Sequence, residues 1–217
     1  MIGELLPETV VVEVAYDDPP QARLEPEEEA VIARAVDSRR REFTTVRHCA
    51  RLALGRLGFP YRALVPGLRG APGWPDGVVG SLTHCAGFRG AAVARAGDVV
   101  SLGIDAEPAL SLPEGVFEAI ALPAEQKRIA ELLAEHPDTP WDRILFSAKE
   151  SVYKTWFPLT HLFLDFSEAD LTLGTDGTFH AELLVSGPVV DGRRLDSFTG
   201  RWTVRNGLLA TAITVLP

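Results

Sequence analysis

The spacing of apolar residues changes along this chain, and each change marks an element. VVVEVAY at 10–16 is almost continuously apolar over a length suited to a strand. PEEEAVIARAV at 26–36 reads as a helix, with Pro26 near its start and glutamates in the first turn, where the helix dipole favours them. A second helix is expected from about Arg40 to Leu57, stopping near Gly58 and Pro60. VPGLRGAPGWPDG at 65–77 is a Pro- and Gly-rich loop. VVGSLTH, GAAVARA and VVSLGIDAE follow as strands, the last two joined at Gly97-Asp98.

Beyond Pro108 the pattern becomes irregular and only partly helical to about Pro137. Thr139-Pro140-Trp141-Asp142 then predicts a helix start, with Thr139 as N-cap and Pro140 in the first turn; Pro158 is expected to end it. The remainder reads as strands, and Asn206-Gly207 between two apolar-rich runs is a hairpin signal. Helix then strands, twice over, predicts an α+β protein of two pseudo-symmetric halves, 1–102 and 103–217. Each half is a helix packed on a small antiparallel sheet, and no long linker separates them.

The helix at 141–157 can be phased. With Ala148 as origin and about 100° per residue, Trp141, Ile144, Leu145, Ser151, Val152 and Thr155 share its direction and form the core stripe. Glu150 and Lys154 fall on the opposite face with Arg143, Phe146 and Ser147, and Lys149 lies on the flank. Glu150 and Lys154 are thus either a surface i,i+4 ion pair or two charges facing a ligand. In GIDAEP, 103–108, Asp105 and Glu107 point to one side of a strand, and Gly103 permits close backbone approach. Two adjacent carboxylates repel unless they are exposed, share a proton or hold a cation. Oxygen ligands of this kind suit Mg²⁺ or Mn²⁺.

Composition narrows the classes. The 217 residues carry a net charge of −9, which argues against broad nucleic-acid binding. Seven arginines and two acids between Arg34 and Arg56 give that segment +5 and leave −14 for the rest, so a local anionic ligand is one reading of the segment and a solvated helix face the other. No apolar run is long enough to cross a membrane, and MIGELLPETV lacks the basic and apolar regions of a leader, so the cytoplasm is the expected compartment. The pairs His48-Cys49 and His84-Cys85 do not make a zinc site, because adjacent side chains diverge, and a disulfide does not suit the compartment. There is no GxSxG elbow, Walker loop or GxGxxG.

GWPDGVVGSLTHC, GIDAEP and WDRILFSAKESVYKTWFPLT, in this order, resemble the three motifs of 4′-phosphopantetheinyl transferases. The likeness is to the large two-half type that activates surfactin-like and enterobactin-like synthetases, and within it to the actinobacterial enzymes that prime type I fatty-acid and polyketide synthases. REFTTVRHCAR fits the family's arginine-bearing helix. The resemblance implies a monomer that moves the phosphopantetheine arm of coenzyme A to a serine of an acyl or peptidyl carrier protein. It implies Asp105, Glu107 and Glu150 as Mg²⁺ ligands, with Glu150 also the candidate base and Lys154 beside the pyrophosphate. Lys149 matches the motif's other lysine. Arg39, Arg47, Arg69 and His84 would contact the coenzyme A phosphates and adenine end, with Ser81, Leu82 and Thr83 lining the nucleotide pocket. The motif departs from the family where Phe146 and Ser147, rather than Trp, precede Ala148. Leu110 to Val116 and the stretch on to Leu133 are the expected carrier-protein face. The rivals are a non-catalytic coenzyme A or carrier-protein binder and a metal-dependent phosphohydrolase.

Overall fold

The computed structural model describes residues 1–217. A 3₁₀ turn at Ile2–Leu5 precedes strand β1, Val11–Ala15. Helix α1 is short, Pro26–Val31, and ends at Ile32, whose N–H closes on the Glu29 carbonyl. The expected helix to residue 36 is therefore cut by a turn, because Val36 is extended and caps the next helix. That helix, α2, runs Asp37–Arg56, three residues earlier than its apolar pattern suggested, with Asp37 in the first turn. It packs across β1, β2 (Val78–Cys85) and β3 (Phe88–Arg95). The three strands form an antiparallel sheet in the order β1-β3-β2. Cys49, Ala50, Ala53 and Leu54 of α2 meet Ala91 and Val93 of β3 in a buried core.

Strand β4, Ser101–Pro108, opens the second half, two residues before the expected boundary at 103, which falls inside the strand. Then come α3 (Val116–Ile120), α4 (Pro123–Glu135) and α5 (Trp141–Thr160). The stretch expected to be irregular thus holds a regular 13-residue helix. Its signal was Leu122-Pro123 followed by Glu125: proline opens the helix, and the Glu125 side chain accepts from the Leu122 amide at 2.7 Å. The start of α5 also differs from expectation, since Pro140 is the cap residue and Thr139 makes no side-chain cap. Pro158 lies inside α5, which continues to Thr160 and stops at His161 in a left-handed conformation, φ 56. Pro158 is exposed and cannot donate to the Lys154 carbonyl four residues back, and the helix runs only two residues beyond it.

Strands β5 (Ala169–Leu173), β6 (Thr178–Leu183), the short pair β7 (Val189–Val190) and β8 (Arg193–Arg194), β9 (Ser197–Arg205) and β10 (Leu208–Val215) complete the chain. The main sheet has the antiparallel order β4-β10-β9-β6-β5, with α5 lying across it. Asn206 and Gly207, at φ 52 and 74, make the tight β9–β10 hairpin. Trp141, Ile144, Leu145, Ala148 and Val152 of α5 fill the core over this sheet. The result is α+β: one helix on an antiparallel sheet, twice.

The two sheets meet through β2 and β4. The Ser81 hydroxyl accepts from the Ile104 amide at 3.1 Å, and the Thr83 hydroxyl accepts from the Ala106 amide at 2.9 Å. Side chains of β2 thus satisfy the free edge of β4, whose other edge pairs with β10. Phe88, Ala92 and Ala94 share a core with Ile104, Ala106, Ala210 and Ala212, so buried apolar surface runs across the join. No helix is long and apolar enough to cross a membrane.

Candidate active site

The register of β4 sets Asp105 opposite Thr211 and Glu107 opposite Leu209, on the same side of the strand. Asp105 is buried. Its Oδ1 accepts from Lys154 Nζ at 2.7 Å and from the Thr83 hydroxyl at 3.2 Å. Its Oδ2 is buried without any partner. Glu107 Oε2 accepts from Arg143 Nη1 at 3.1 Å. Burial, and then the Asp105 charge, push the Glu107 carboxyl up to about 7, against the pull of Arg143. Arg143 also donates to the carbonyls of Leu110 and Ser111 at 2.9 and 2.8 Å, tying the segment after β4 to the start of α5.

Glu150 and Lys154 do not form the surface pair that their spacing allows. Lys154 reaches across to Asp105 and to the Ile104 carbonyl instead, at 2.7 and 3.2 Å. Burial raises the Glu150 carboxyl above its usual range, with Lys154 opposing and Asp105 adding to the rise. Beside Glu150 lies an apolar cavity of about 190 Å³, lined by Val152, Tyr153, Phe163, Leu164 and Phe166. Arg69, itself left-handed at φ 53, stands 5.2 Å over the Phe163 ring at its edge.

The cationic side is built on α2. Arg39 Nη1 lies 2.5 Å from His84 Nε2. A guanidinium can only donate, so Nε2 is the acceptor and the His84 proton sits on Nδ1, 3.5 Å from Glu42. Burial, and then Arg39, hold His84 below its ordinary pKa, and Lys154 contributes to that depression. His84 and Lys154 therefore share one electrostatic neighbourhood across the join. Arg47 is nearly buried, its guanidinium 3.2 Å over the Phe43 ring, and Nε donates to the Leu64 carbonyl at 3.2 Å. Burial pushes its pKa down to about 10, with Glu28 opposing and Arg39 and Arg51 adding. Neither Arg39 nor Arg47 has an acidic partner within 4.0 Å.

Several expected residues lie elsewhere. Lys149 borders the cavity beside Glu150, but its Nζ is buried, paired with Glu125 of α4 at 2.9 Å, and donates to the Phe166 and Ala169 carbonyls at 2.6 and 2.9 Å. Ser81 and Thr83 do not line an open nucleotide pocket: both are buried and their hydroxyls are spent on β4. Leu82 packs against the α2 core. Ser147 is buried too, bonded to Thr211 at 3.0 Å, so the face of α5 opposite its core stripe is not a solvent face. The three carboxylates do not close into a ready-made metal cage of three side chains. Sequence reasoning missed Arg143 as the partner of Glu107, although helix phase had placed it on the same face as Glu150.

Residues 27–94 match the model of the 4′-phosphopantetheinyl transferase N-terminal domain, and residues 101–204 that of the 4′-phosphopantetheinyl transferase superfamily. The chain is 61% identical over 219 residues to 4′-phosphopantetheinyl transferase Svp of Streptomyces mobaraensis, covering 99% of this chain and 89% of that protein. The chain belongs to the 4′-phosphopantetheinyl transferase superfamily. The transferase is also 49% identical to PptT of Mycobacterium tuberculosis, over 99% of this chain and 98% of that one. Against Npt of Nocardia iowensis it is 47% identical, over 98% and 99%. Between the two matches lie residues 95–100, the end of β3 and the turn to β4. The β4 acids and the lysines of α5 fall in the superfamily segment, and the arginines of α2 with His84 in the N-terminal one.

Proposed function

We propose that the transferase moves the 4′-phosphopantetheine arm of coenzyme A onto a serine of an apo carrier protein of fatty-acid, polyketide or nonribosomal peptide synthesis, releasing adenosine 3′,5′-bisphosphate. The observation that carries this is the placing of α2 cations that have no acidic partner opposite the Asp105–Lys154–Glu150 group across the join. Coenzyme A needs both: cations for its 3′-phosphate and pyrophosphate, and a proton acceptor beside the phosphorus under attack.

The serine hydroxyl attacks the pyrophosphate phosphorus that carries the arm. A new P–O bond forms, the bridging P–O bond breaks, and its electron pair leaves with adenosine 3′,5′-bisphosphate. Glu150 takes the serine proton; burial raises its affinity for protons, which suits a general base. Lys154, fixed by Asp105, stabilises the charge growing on the leaving group. Arg39 and Arg47 hold the 3′-phosphate end by charge-assisted bonds, with His84 beside Arg39 and Arg69 at the outer rim. The apolar cavity beside Glu150 suits the pantetheine chain.

The donor set fits a divalent cation: all three candidate ligands are oxygen donors, one buried carboxylate oxygen has no partner, and burial with the Asp105 charge disfavours ionisation of Glu107 and Glu150. Asp105, Glu107 and Glu150 would hold Mg²⁺ or Mn²⁺, which when bound supplies charge neutralisation at the pyrophosphate.

Intact mass of an apo carrier protein after incubation with the transferase, coenzyme A and Mg²⁺ tests this. The expected gain is roughly 340 Da, one phosphopantetheine arm, abolished by EDTA. Glu150→Gln should slow the gain at least about 100-fold while leaving the fold intact, since Glu150 lies off the core stripe. No gain on any of several carrier types, or a variant as fast as wild type, would sink the reading.

A further inference from the structure

The first half contains a buried ion pair that the transfer chemistry does not use. Glu28 of α1 and Arg51 of α2 meet at 2.8 Å, with side chains 0% and 3% exposed. Two charges taken out of water are costly unless their remaining hydrogen-bonding capacity is also filled. Here it is. Arg51 Nη1 reaches both Glu28 oxygens, Oε1 also accepts from the Leu64 amide at 2.8 Å, and Oε2 accepts from the Glu25 amide at 2.9 Å. Arg51 Nη2 donates to the Arg23 carbonyl, and the guanidinium lies 5.1 Å from the Tyr61 ring. One carboxylate and one guanidinium thereby gather α1, α2, the segment at 23–25 and the loop at 61–64.

These bonds converge on Leu64. Its N–H is held by Glu28, and its carbonyl receives Nε of Arg47, the one hydrogen bond Arg47 makes within the protein. The loop residue whose carbonyl aims the Arg47 fork is thus itself anchored, through its N–H, by the buried pair. Arg39 needs no such anchor, because His84 holds it directly. Apolar residues of similar volume would fill the same space at no electrostatic cost. A pair whose bonds end on the backbone beneath Arg47 does something packing alone would not.

We infer that Glu28 and Arg51 are positioning residues that orient Arg47, and that they set how strongly the transferase prefers coenzyme A over its 3′-dephospho form. The inference rests on the reading of Arg47 as a 3′-phosphate contact.

Steady-state kinetics with an apo carrier protein, varying coenzyme A and 3′-dephospho-coenzyme A, test it on wild type, Glu28→Gln and Arg51→Lys, with melting temperatures measured in parallel. For Glu28→Gln the KM for coenzyme A should rise roughly tenfold and that for the dephospho form stay put, with kcat at saturation changed by no more than about twofold, as expected for a misplaced contact outside the reacting centre. Arg51→Lys keeps the charge but loses the fork, and should move KM the same way by less. A folded variant of either kind with the wild-type preference overturns the inference, whatever its melting temperature. Amide exchange needs no variant: the wild-type Leu64 N–H should exchange slowly, and more slowly still with adenosine 3′,5′-bisphosphate. Exchange at the rate of an exposed loop amide overturns the clamp. A wild type that uses both coenzyme A forms equally removes the reading of Arg47 instead, leaving the clamp to be judged by exchange.

Discussion

Lys149 and Lys154 sit five residues apart on one helix, and the protein uses them for unrelated ends. Lys154 bridges to Asp105 at the site, whereas Lys149 is sunk between α4 and β5 on Glu125. Burial lowers the Lys149 pKa, and Glu125 opposes that, so the pair stands or falls together. Lys149→Met should destabilise the fold by about 3–5 kcal/mol, because Glu125 would be left buried and uncompensated. Urea unfolding checks this, together with an unchanged KM for coenzyme A in the folded enzyme. Full stability with a raised KM would return Lys149 to the ligand. Helix phase could assign Lys149 only to a flank; what that flank faces depends on α4, which the apolar pattern did not reveal. A strand's alternation put Asp105 and Glu107 on one side and a helix's period put Glu150 on one face with Lys154, but only the family resemblance made the three a ligand set. Arg47 as a candidate came from its motif, but its dependence on Leu64 involves a loop backbone that no side-chain pattern encodes.

Among the elements, α5 does the most, and Gly103 decides where it lies. A Cβ at Gly103 would stand 2.2 Å from the Ser151 carbonyl oxygen and 2.5 Å from the Thr155 hydroxyl, both on α5. The helix therefore rests on β4 at a point where no side chain fits, which brings Lys154 within 2.7 Å of Asp105. Gly103→Ala must push α5 outward, and a shift of about 1 Å at a reacting centre can cost on the order of 100-fold in rate. The expected result is a folded protein with kcat down by roughly that factor and a melting temperature lowered by overpacking. A variant with wild-type kcat would mean that α5 is not held by this contact. The core stripe of α5 was readable from phase, since Trp141, Ile144, Leu145, Ala148, Ser151, Val152 and Thr155 are all buried. Its far side was not, because phase shows which residues share a face and not whether a neighbour covers it. The early end of α1 goes with the extended Val36 that caps α2, and α5 runs only two residues past the exposed Pro158.

The whole molecule is joined by hydroxyls as much as by apolar surface. Thr83→Val keeps the shape and removes the group that accepts from the Ala106 amide and donates to Asp105. It should cost about 1–3 kcal/mol, the penalty for orphaning a buried donor, and also lower kcat, because Asp105 loses one of the two bonds on Oδ1. Denaturant unfolding and kinetics on one preparation check both, and a variant of wild-type stability would mean that the join does not need this bond. The two halves were visible in sequence as an order of elements. Their junction was not, because the family resemblance assigned Ser81 and Thr83 to a nucleotide pocket, whereas their hydroxyls bond the amides of β4. The place of β10 has a further consequence, in the order of biosynthesis. Strand β4 emerges from the ribosome about a hundred residues before β10, its sole ladder partner, yet it bears two of the three acids. A nascent chain that has made Asp105 and Glu107 has no sheet to set them in until residues 208–215 arrive, so competence comes late, all at once, and only to a chain synthesised through its last strand.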